Sequence, residues 1–219
     1  MDSFACLGET LSMRFLAFEG LDGSGKSTLI NGLKTEFETR GLGFVITREP
    51  GGTPLGDEMR QMLLRVKGDT PVPRTEALLY QAGRAQHVEK LIKPSLASGK
   101  WVLSDRFAAS SLAFQSGGRD ISREEIEWLN RFSTSGLQPD LYVLIDLTVE
   151  ESLKRLERRG EDVDRFEREA QDFHQRVRDE YLRLARANPA GWLVLSGSEP
   201  PKTLLTKLLE ALKERKWLA

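Results

Sequence analysis

The chain has 219 residues, of which 39 % are hydrophobic, and this is enough for one domain with a buried core. Its 32 Lys and Arg residues nearly balance its 33 Asp and Glu residues, which argues against a nucleic-acid partner. No apolar run is long enough for a membrane span, and one cysteine with two histidines forms neither an internal disulfide nor a Cys/His metal cluster. We expect a cytoplasmic protein without a membrane partner, with a disordered extension over 1–12 and a single domain over 13–219.

The most specific motif lies near the start of the chain. A short apolar strand pattern over 15–18 precedes Gly-x-x-x-x-Gly-Lys-Ser, which ends at Ser27, and a helical pattern follows. This is the phosphate-binding loop, in which glycines let successive backbone N–H groups face one anion at the positive end of a helix. We predict that Lys26 reaches the β- and γ-phosphates of ATP and that Ser27 binds Mg²⁺. The predicted ATP-binding residues are Gly20, Asp22, Gly23, Ser24, Gly25, Lys26, Ser27 and Thr28.

Helical and strand patterns alternate along the rest of the chain. Capping-box patterns at Ser122/Glu125 and Thr148/Glu151 predict where two of the helices begin. The pattern predicts helices over about 26–40, 55–66, 75–92, 122–133, 148–160, 168–187 and from 198 onwards. Further strands are predicted over 44–47, 101–104, 141–146 and 192–195. Such alternation is typical of an α/β fold with a parallel sheet of about five strands and helices on both faces.

Charged side chains follow two of the predicted strands. Arg48 and Glu49 begin a rigid Pro-Gly-Gly loop, and Asp105 and Arg106 follow the third strand. Ligands of open parallel sheets bind at this edge, where an acid suits Mg²⁺ and a base suits a phosphate. A plain salt bridge between Asp105 and Arg106 is compatible with both roles.

Two helical regions have a simple structural interpretation beside a functional one. Tyr80, Arg84 and His87 share a helix face, and their spacing alone favours a half-buried tyrosine, a solvated arginine and a structural or surface histidine. The Arg-rich stretch 158–168 alternates acids with bases, which favours a solvated, salt-bridged helix pair over a lid.

The phosphate loop indicates a nucleoside triphosphate but leaves several protein classes open. A GTPase is disfavoured because Asn-Lys-x-Asp does not occur in the sequence. A cassette or motor ATPase would use 141–146 as the apolar strand that ends in its metal-binding acid. However, Leu-Ser-Gly-Ser at 195–198 matches the cassette signature poorly and lies downstream of that strand. A small-molecule kinase needs cations for its acceptor and a lid, which Arg48, Arg84, Arg106 and the stretch 158–168 supply. A kinase for another nucleotide or nucleoside, and a regulatory nucleotide-binding module, stay open.

Several motifs together resemble the bacterial thymidylate kinase family. They are FEGLDGSGKST at 18–28, TREPGGT at 47–53, YQAGRAQ at 80–86, DRF at 105–107 and FQSGGR at 114–119. The resemblance covers about 13–217 and implies a P-loop kinase fold: a five-stranded parallel sheet, helices on both faces and an Arg-rich lid at about 158–168. It implies a homodimer that transfers the γ-phosphoryl group of ATP to dTMP with Mg²⁺, giving ADP and dTDP.

The resemblance also implies roles for single residues. The implied dTMP-binding residues are Asp22 near the sugar, Arg48 and Arg106 at the phosphate, Tyr80 stacked on thymine, and Arg84, Ser111 and Gln115 around the base. The implied metal-binding residues are Ser27 and Asp105. Gly23 stands where one family variant carries a loop arginine, so the chain resembles the variant with a cationic lid. The implied catalytic residues are Lys26, Arg106, Arg159 and Arg165, and Arg158 is a further lid candidate.

Overall fold

The structure is a computed structural model that describes residues 14–159 and 164–218, except for the side chain of Arg159. The predictions for 1–12 and for positions 160–163 of the lid lie outside the described residues. So does the predicted catalytic contact of the Arg159 side chain.

Five strands form one parallel sheet, as predicted. In chain order they are β1 Phe15–Glu19, β2 Phe44–Arg48, β3 Trp101–Asp105, β4 Leu141–Asp146 and β5 Trp192–Ser196. The order across the sheet is β2-β3-β1-β4-β5, and every neighbouring pair is parallel. The connection from β1 runs to β2 at one edge of the sheet, whereas the connection from β3 runs the other way, across β1 to β4. The two connections therefore diverge between β1 and β3, and the crevice that binds ligands in open α/β sheets forms at the carboxyl ends of these strands.

Helices lie between the strands in sequence. In the described part of the chain they are α1 Lys26–Thr39, α2 Pro54–Leu64, α3 Pro73–His87, α4 Lys93–Ala97, α5 Ala108–Ser111, α6 Arg123–Thr134, α7 Val149–Arg159, α8 Gln171–Ala187 and α9 Pro201–Glu214. Wider π turns, Val88–Ile92 and Leu112–Gly118, follow α3 and α5. No helix within these residues is long and apolar enough to cross a membrane.

The predicted helix starts have different outcomes. The box at Thr148 forms, because its hydroxyl accepts from the Glu151 N–H at 3.3 Å and donates to the Glu151 carboxylate at 2.9 Å. Ser122 precedes α6 without a capping hydrogen bond from its side chain. The last helix begins at Pro201 rather than at Ser198, since proline suits the first helical position and Ser198 instead donates to Glu151.

The core has layers on both faces of the sheet, as the near-continuous apolar run of β4 predicts. One buried cluster packs α1 and α9 on the sheet and includes Phe18, Leu33 and Leu208. The opposite face carries clusters around Phe107 and Phe114. Helices therefore cover both faces of the sheet, and the two cavities of the candidate site lie at its carboxyl edge.

Candidate active site

The phosphate loop joins β1 to α1 through three glycines in the left-handed region. Gly20, Gly23 and Gly25 have φ angles of 135°, 73° and 106°. A Cβ on Gly20 would lie 2.4 Å from the carbonyl oxygen of Ile145, so only glycine fits there. The amino group of Lys26 is buried and donates to the carbonyls of Gly20 at 3.2 Å and Leu21 at 3.0 Å. Burial lowers the pKa of Lys26, and the nearby Arg106 guanidinium lowers it further.

Two oxygen-bearing side chains meet beside this loop. The Ser27 hydroxyl lies 3.5 Å from Oδ2 of Asp105, which ends the strand next to β1. Hard oxygen donors of this kind fit Mg²⁺, which takes most of its other ligands from phosphates and water. Among the described residues no cluster of three or more His, Cys, Asp or Glu side chains is arranged to hold a metal alone.

The acid at the end of β4 is already committed to another partner. Both carboxylate oxygens of Asp146 accept from Arg178 of α8, at 2.7 and 2.9 Å. A bidentate pair of this geometry leaves the carboxylate poorly placed to serve a nucleotide-bound metal. The structure therefore disfavours the ATPase interpretation in which β4 supplies the acidic residue.

Arg106 links the end of β3 to the phosphate loop. Its backbone is in the left-handed region, with φ 72°, where a non-glycine residue is strained. Its guanidinium donates to Asp22 at 2.8 Å and to the Tyr181 hydroxyl at 3.0 Å. Burial alone would raise the pKa of Asp22, but Arg106 and Lys26 outweigh it and lower that pKa to about 2. Asp22 is therefore ionised at neutral pH.

A buried acid at the end of β1 supports this arrangement. Glu19 accepts from the Phe107 N–H at 2.9 Å, the Ser110 hydroxyl at 2.6 Å and the Tyr181 hydroxyl at 2.8 Å. Burial raises the pKa of Glu19, although Arg106 and these hydrogen bonds oppose the shift. Glu19 belongs to the motif at 18–28, but its role is not visible in the sequence because its partners come from distant segments.

Two cavities meet at the Asp22–Arg106 pair. One, of about 530 Å³, contains the phosphate loop and Asp105, with Arg48 on its wall. The other, of about 60 Å³, has an aromatic and amide lining. The predicted residues that line the second cavity are Asp22, Tyr80, Arg106 and Gln115. The structure thus places most of the predicted ATP residues in the lining of one cavity and most of the predicted dTMP residues in that of the other.

Arg84 and Ser111 lie behind the second cavity rather than in its lining. The Arg84 side chain is 1 % exposed, and it donates to Glu49 at 2.7 Å and to the Ser111 hydroxyl at 2.9 Å. The interpretation of Arg84 as a solvated residue is therefore wrong, because its charge is balanced inside the protein by Glu49. The structural interpretation of His87 is confirmed, since its buried ring bonds Glu49 at 2.9 Å and Thr47 at 2.7 Å.

Four further residues at the cavities were missed in the sequence. Arg60 lines both cavities, and Asp164 and Phe166 line the second. Arg155 of α7 reaches the phosphate loop, with Nη1 3.3 Å from the Gly23 carbonyl, and lines the first cavity. Each lies in a charged or helical stretch whose periodicity gives no sign of a ligand, so only a resemblance covering these positions could have found them.

Arg165 lies away from the phosphate loop. Its guanidinium donates to Glu76 at 2.6 Å and to the Leu63 carbonyl at 3.0 Å, at the far side of the second cavity. Arg158 is exposed at the end of α7. The predicted contact of Arg165 with the transferring phosphoryl group is therefore absent from this arrangement and stays a prediction.

A phosphate loop on a five-stranded parallel sheet, next to a cavity that combines two arginines with aromatic and amide groups, defines a P-loop phosphotransferase. The family model for thymidylate kinase matches residues 18–208. The chain is 55 % identical over 210 residues to the thymidylate kinase of Bdellovibrio bacteriovorus, covering 94 % of this chain and 98 % of that protein. It is 45 % identical to that of Pelotomaculum thermopropionicum over 92 % and 93 % of the two chains.

A solved structure agrees with these sequence similarities. The crystal structure of thymidylate kinase from Ehrlichia chaffeensis matches with a TM-score of 0.74 and 31 % identity, over 92 % of this chain and 99 % of that one. The chain belongs to the thymidylate kinase family.

Proposed function

We propose that this chain transfers the γ-phosphoryl group of ATP to dTMP with Mg²⁺, giving ADP and dTDP, at the junction of the two cavities. The activity follows from membership of the family. The observation that carries the site assignment is the Asp22–Arg106 pair, which lines both cavities and so lies where a donor and an acceptor phosphate would meet.

The first cavity binds ATP in this proposal. The backbone N–H groups of the loop and the positive end of α1 bind the phosphates, and Lys26 turns from the loop carbonyls to the β- and γ-phosphates. Ser27 and Asp105 hold Mg²⁺, which when bound neutralises charge on the phosphates. Arg155 holds the loop carbonyls from behind and adds positive charge to the cavity.

The second cavity binds dTMP. A phosphate monoester is already a nucleophile, so the protein has to position it and balance its charge rather than remove a proton. Arg48, Arg60 and Arg106 converge on the position of the acceptor phosphate, and Asp22 lies beside it near the sugar. Arg60 is fixed for this role because its Nη1 donates to the Pro50 carbonyl at 3.0 Å.

The aromatic part of the second cavity receives the base. Tyr80 and Phe114 each contact Phe166 edge to face, with ring centroids 6.1 and 5.8 Å apart. A pyrimidine stacks on the Tyr80 ring, and the Gln115 amide reads its edge. Arg84 and Ser111 act on the base from behind this lining, which requires the cavity to widen when dTMP binds.

The lid and the domain boundary complete the proposal. Residues 13–219 form one domain, and the segment 158–168 closes over the phosphates when both substrates are bound. Arg159 supplies the cation of the lid, while Arg165 anchors the segment through Glu76 and the Leu63 carbonyl. The cytoplasmic location stays a prediction.

We also propose that the active unit is a homodimer. Leu78 of α3 and Trp128 and Phe132 of α6 are 58 %, 56 % and 72 % exposed. Leu78 and Trp128 line an apolar groove of about 470 Å³ between these helices, and the Phe132 ring stacks on that of Trp128. A patch of this kind is a candidate interface, and a two-fold axis would bury it against its own copy.

The acids that end β3 and β4, the two strands on either side of β1, provide a test of the site assignment. We expect Asp105→Asn to lower the rate of dTMP-dependent ADP release about 100-fold and to raise the Mg²⁺ concentration needed for half-maximal rate. Asp146→Asn is the matched control, because Asp146 is bound to Arg178, and its rate should stay within about threefold of the wild type. Equal losses in the two variants would contradict the assignment of the metal to Asp105.

A further inference from the structure

A buried carboxylate lies behind the second cavity. Glu76, in the first turn of α3, is fully buried. Its Oε2 lies 2.6 Å from the Arg165 guanidinium and 3.3 Å from Nε of Arg119. Its Oε1 accepts from Nε2 of Gln115 at 2.8 Å. One carboxylate thus joins α3, the segment after α5 and the part of the lid segment that contains Arg165.

The two arginines determine what Glu76 offers to Gln115. A buried carboxylate bonded to two guanidinium groups is ionised, because the paired charges stabilise each other and a neutral acid would leave the cations unbalanced. An ionised carboxylate only accepts hydrogen bonds. The Gln115 amide must therefore turn Nε2 towards Glu76, which settles an orientation that the shape of an amide alone leaves open.

This orientation decides which edge of a base fits. With one N–H of Nε2 bonded to Glu76, we infer that Oε1, at the other corner of the amide, is the atom that Gln115 turns towards the cavity it lines. Thymine and uracil carry a donor at N3, whereas cytosine carries an acceptor there. A fixed carbonyl accepts from N3–H and faces the N3 lone pair of cytosine without a partner, which is the kind of mismatch that gives strong discrimination.

We propose that Glu76 is a positioning residue that holds Gln115 with its carbonyl towards the base and so selects a pyrimidine with a proton at N3. The proposal rests on the proposed dTMP kinase activity, since it names a determinant of base choice in that site. Glu76 touches no substrate in this proposal and acts only through the Gln115 amide.

The Glu76 carboxylate also holds a second segment that lines the cavity. Arg165, which pairs with Glu76, stands between Asp164 and Phe166, and both of these line the cavity together with Gln115. The Arg165 guanidinium also lies 4.6 Å from the centroid of the Phe166 ring. Glu76 therefore holds both the Gln115 amide, which contacts the base in this proposal, and the segment 164–166, which lines the same cavity.

The test is the ratio of kcat/KM for dTMP to that for dCMP in wild type and in Glu76→Gln, with dUMP as a third acceptor. For an acceptor with no measurable turnover, its inhibition constant against dTMP is measured instead. A glutamine at 76 both donates and accepts, so the Gln115 amide is free to rotate. We expect the dTMP/dCMP ratio to fall about tenfold or more, mainly through KM for dTMP. The dTMP/dUMP ratio should stay within about twofold, because both bases carry N3–H.

Glu169→Gln is the matched control, because Glu169 also pairs with Arg119, at 2.6 Å, whereas the Gln115 amide donates to Glu76. It should keep the dTMP/dCMP ratio within about twofold of the wild type. An unchanged ratio in Glu76→Gln, with equal losses for both nucleotides, would show a purely structural role and overturn the inference.

If Glu76→Gln does not fold, Glu76→Asp provides the second test, because it keeps a group that only accepts hydrogen bonds. Its dTMP/dCMP ratio should stay within about threefold of the wild type, and a collapse of that ratio would overturn the inference. A wild-type chain without dTMP-dependent ADP release would contradict the proposed function instead, so the two failures are distinct.

Discussion

Arg106 and Asp22 form an ion pair of 2.8 Å that joins the end of β3 to the phosphate loop. The pair lies in the lining of both cavities, so the arginine that would bind the acceptor phosphate is held by the loop that would bind the donor. In this arrangement, a displacement of Arg106 affects both substrates.

The hydroxyl of Tyr181 tests this coupling. It accepts from Arg106 and donates to Glu19, so Tyr181→Phe leaves Arg106 and the buried Glu19 each with one partner fewer. We expect kcat/KM for dTMP to fall about tenfold and the free energy of unfolding to fall by about 1–3 kcal/mol. Steady-state kinetics and urea unfolding measure the two effects.

Tyr142→Phe is the control for that substitution. Tyr142 stacks on Trp192 with ring centroids 4.6 Å apart, away from the two cavities, and its kcat/KM should stay within about twofold of the wild type. A kinetic loss as large in Tyr142→Phe as in Tyr181→Phe would count against the coupling.

The lowered pKa of Asp22 predicts how its ion pair responds to acid. The pKa falls from an ordinary 3.8 to about 2 in the folded chain, so the folded state favours the charged form. Its contribution to stability is complete above about pH 4 and is lost as the pH falls towards 2. The difference in unfolding free energy between wild type and Asp22→Asn should therefore shrink between pH 4 and pH 2. A difference that does not change over this range would contradict the ion pair.

Gly52 lies beside a buried set of hydrogen bonds in which the His87 ring joins Thr47 to Glu49. A Cβ there would lie 2.6 Å from Oγ1 of Thr47 and 2.7 Å from Nε2 of His87, with φ at +79°. We expect Gly52→Ala to lower the free energy of unfolding by about 3 kcal/mol and to raise KM for dTMP, because Glu49 holds Arg84.

Gly41→Ala is the control that distinguishes backbone strain from steric overlap of the added Cβ as the cause of the effect of Gly52→Ala. Gly41 also has a positive φ, of +67°, but no atom lies within 4 Å of an added Cβ. It should lose only about 1 kcal/mol, with unchanged kinetics. Similar stability losses in the two variants would show that backbone strain alone explains Gly52→Ala.

The exposed rings of α6 provide a test of the proposed homodimer. Phe132→Glu places a charge in the apolar patch, and we expect the wild type to sediment as a dimer at micromolar concentration and the variant as a monomer. Val194→Glu is the control, since Val194 is an exposed hydrophobic residue on β5 at the edge of the sheet. A dimer lost in both variants, or in neither, would place the interface elsewhere.

The fold could be predicted because its signals are local. The five strands and the helices around them follow from periodicity, glycine and proline positions, and the phosphate loop places β1 directly before α1. The acid and base after β3 also follow from the sequence, because parallel strands bring their carboxyl ends to one edge.

The pairing of buried charges could not be predicted in this way. Tyr181 is 162 residues from Glu19, and only the packing of α8 on the sheet brings them together. Arg84 appeared solvated from its spacing because its partner Glu49 lies in a loop 35 residues away. From sequence alone a charged residue is predicted at the surface, because only the tertiary structure shows which opposite charge is buried with it.

The most direct test of the account is ADP release from Mg·ATP with dTMP, dUMP, dCMP, AMP, thymidine or no acceptor. We expect rapid turnover with dTMP, slower turnover with dUMP and almost none with the others, because the arginines require a phosphate and the Gln115 carbonyl requires N3–H. Turnover with thymidine but not with dTMP would contradict the role of Arg48 and Arg106. ADP release that does not depend on any acceptor would contradict the kinase assignment itself.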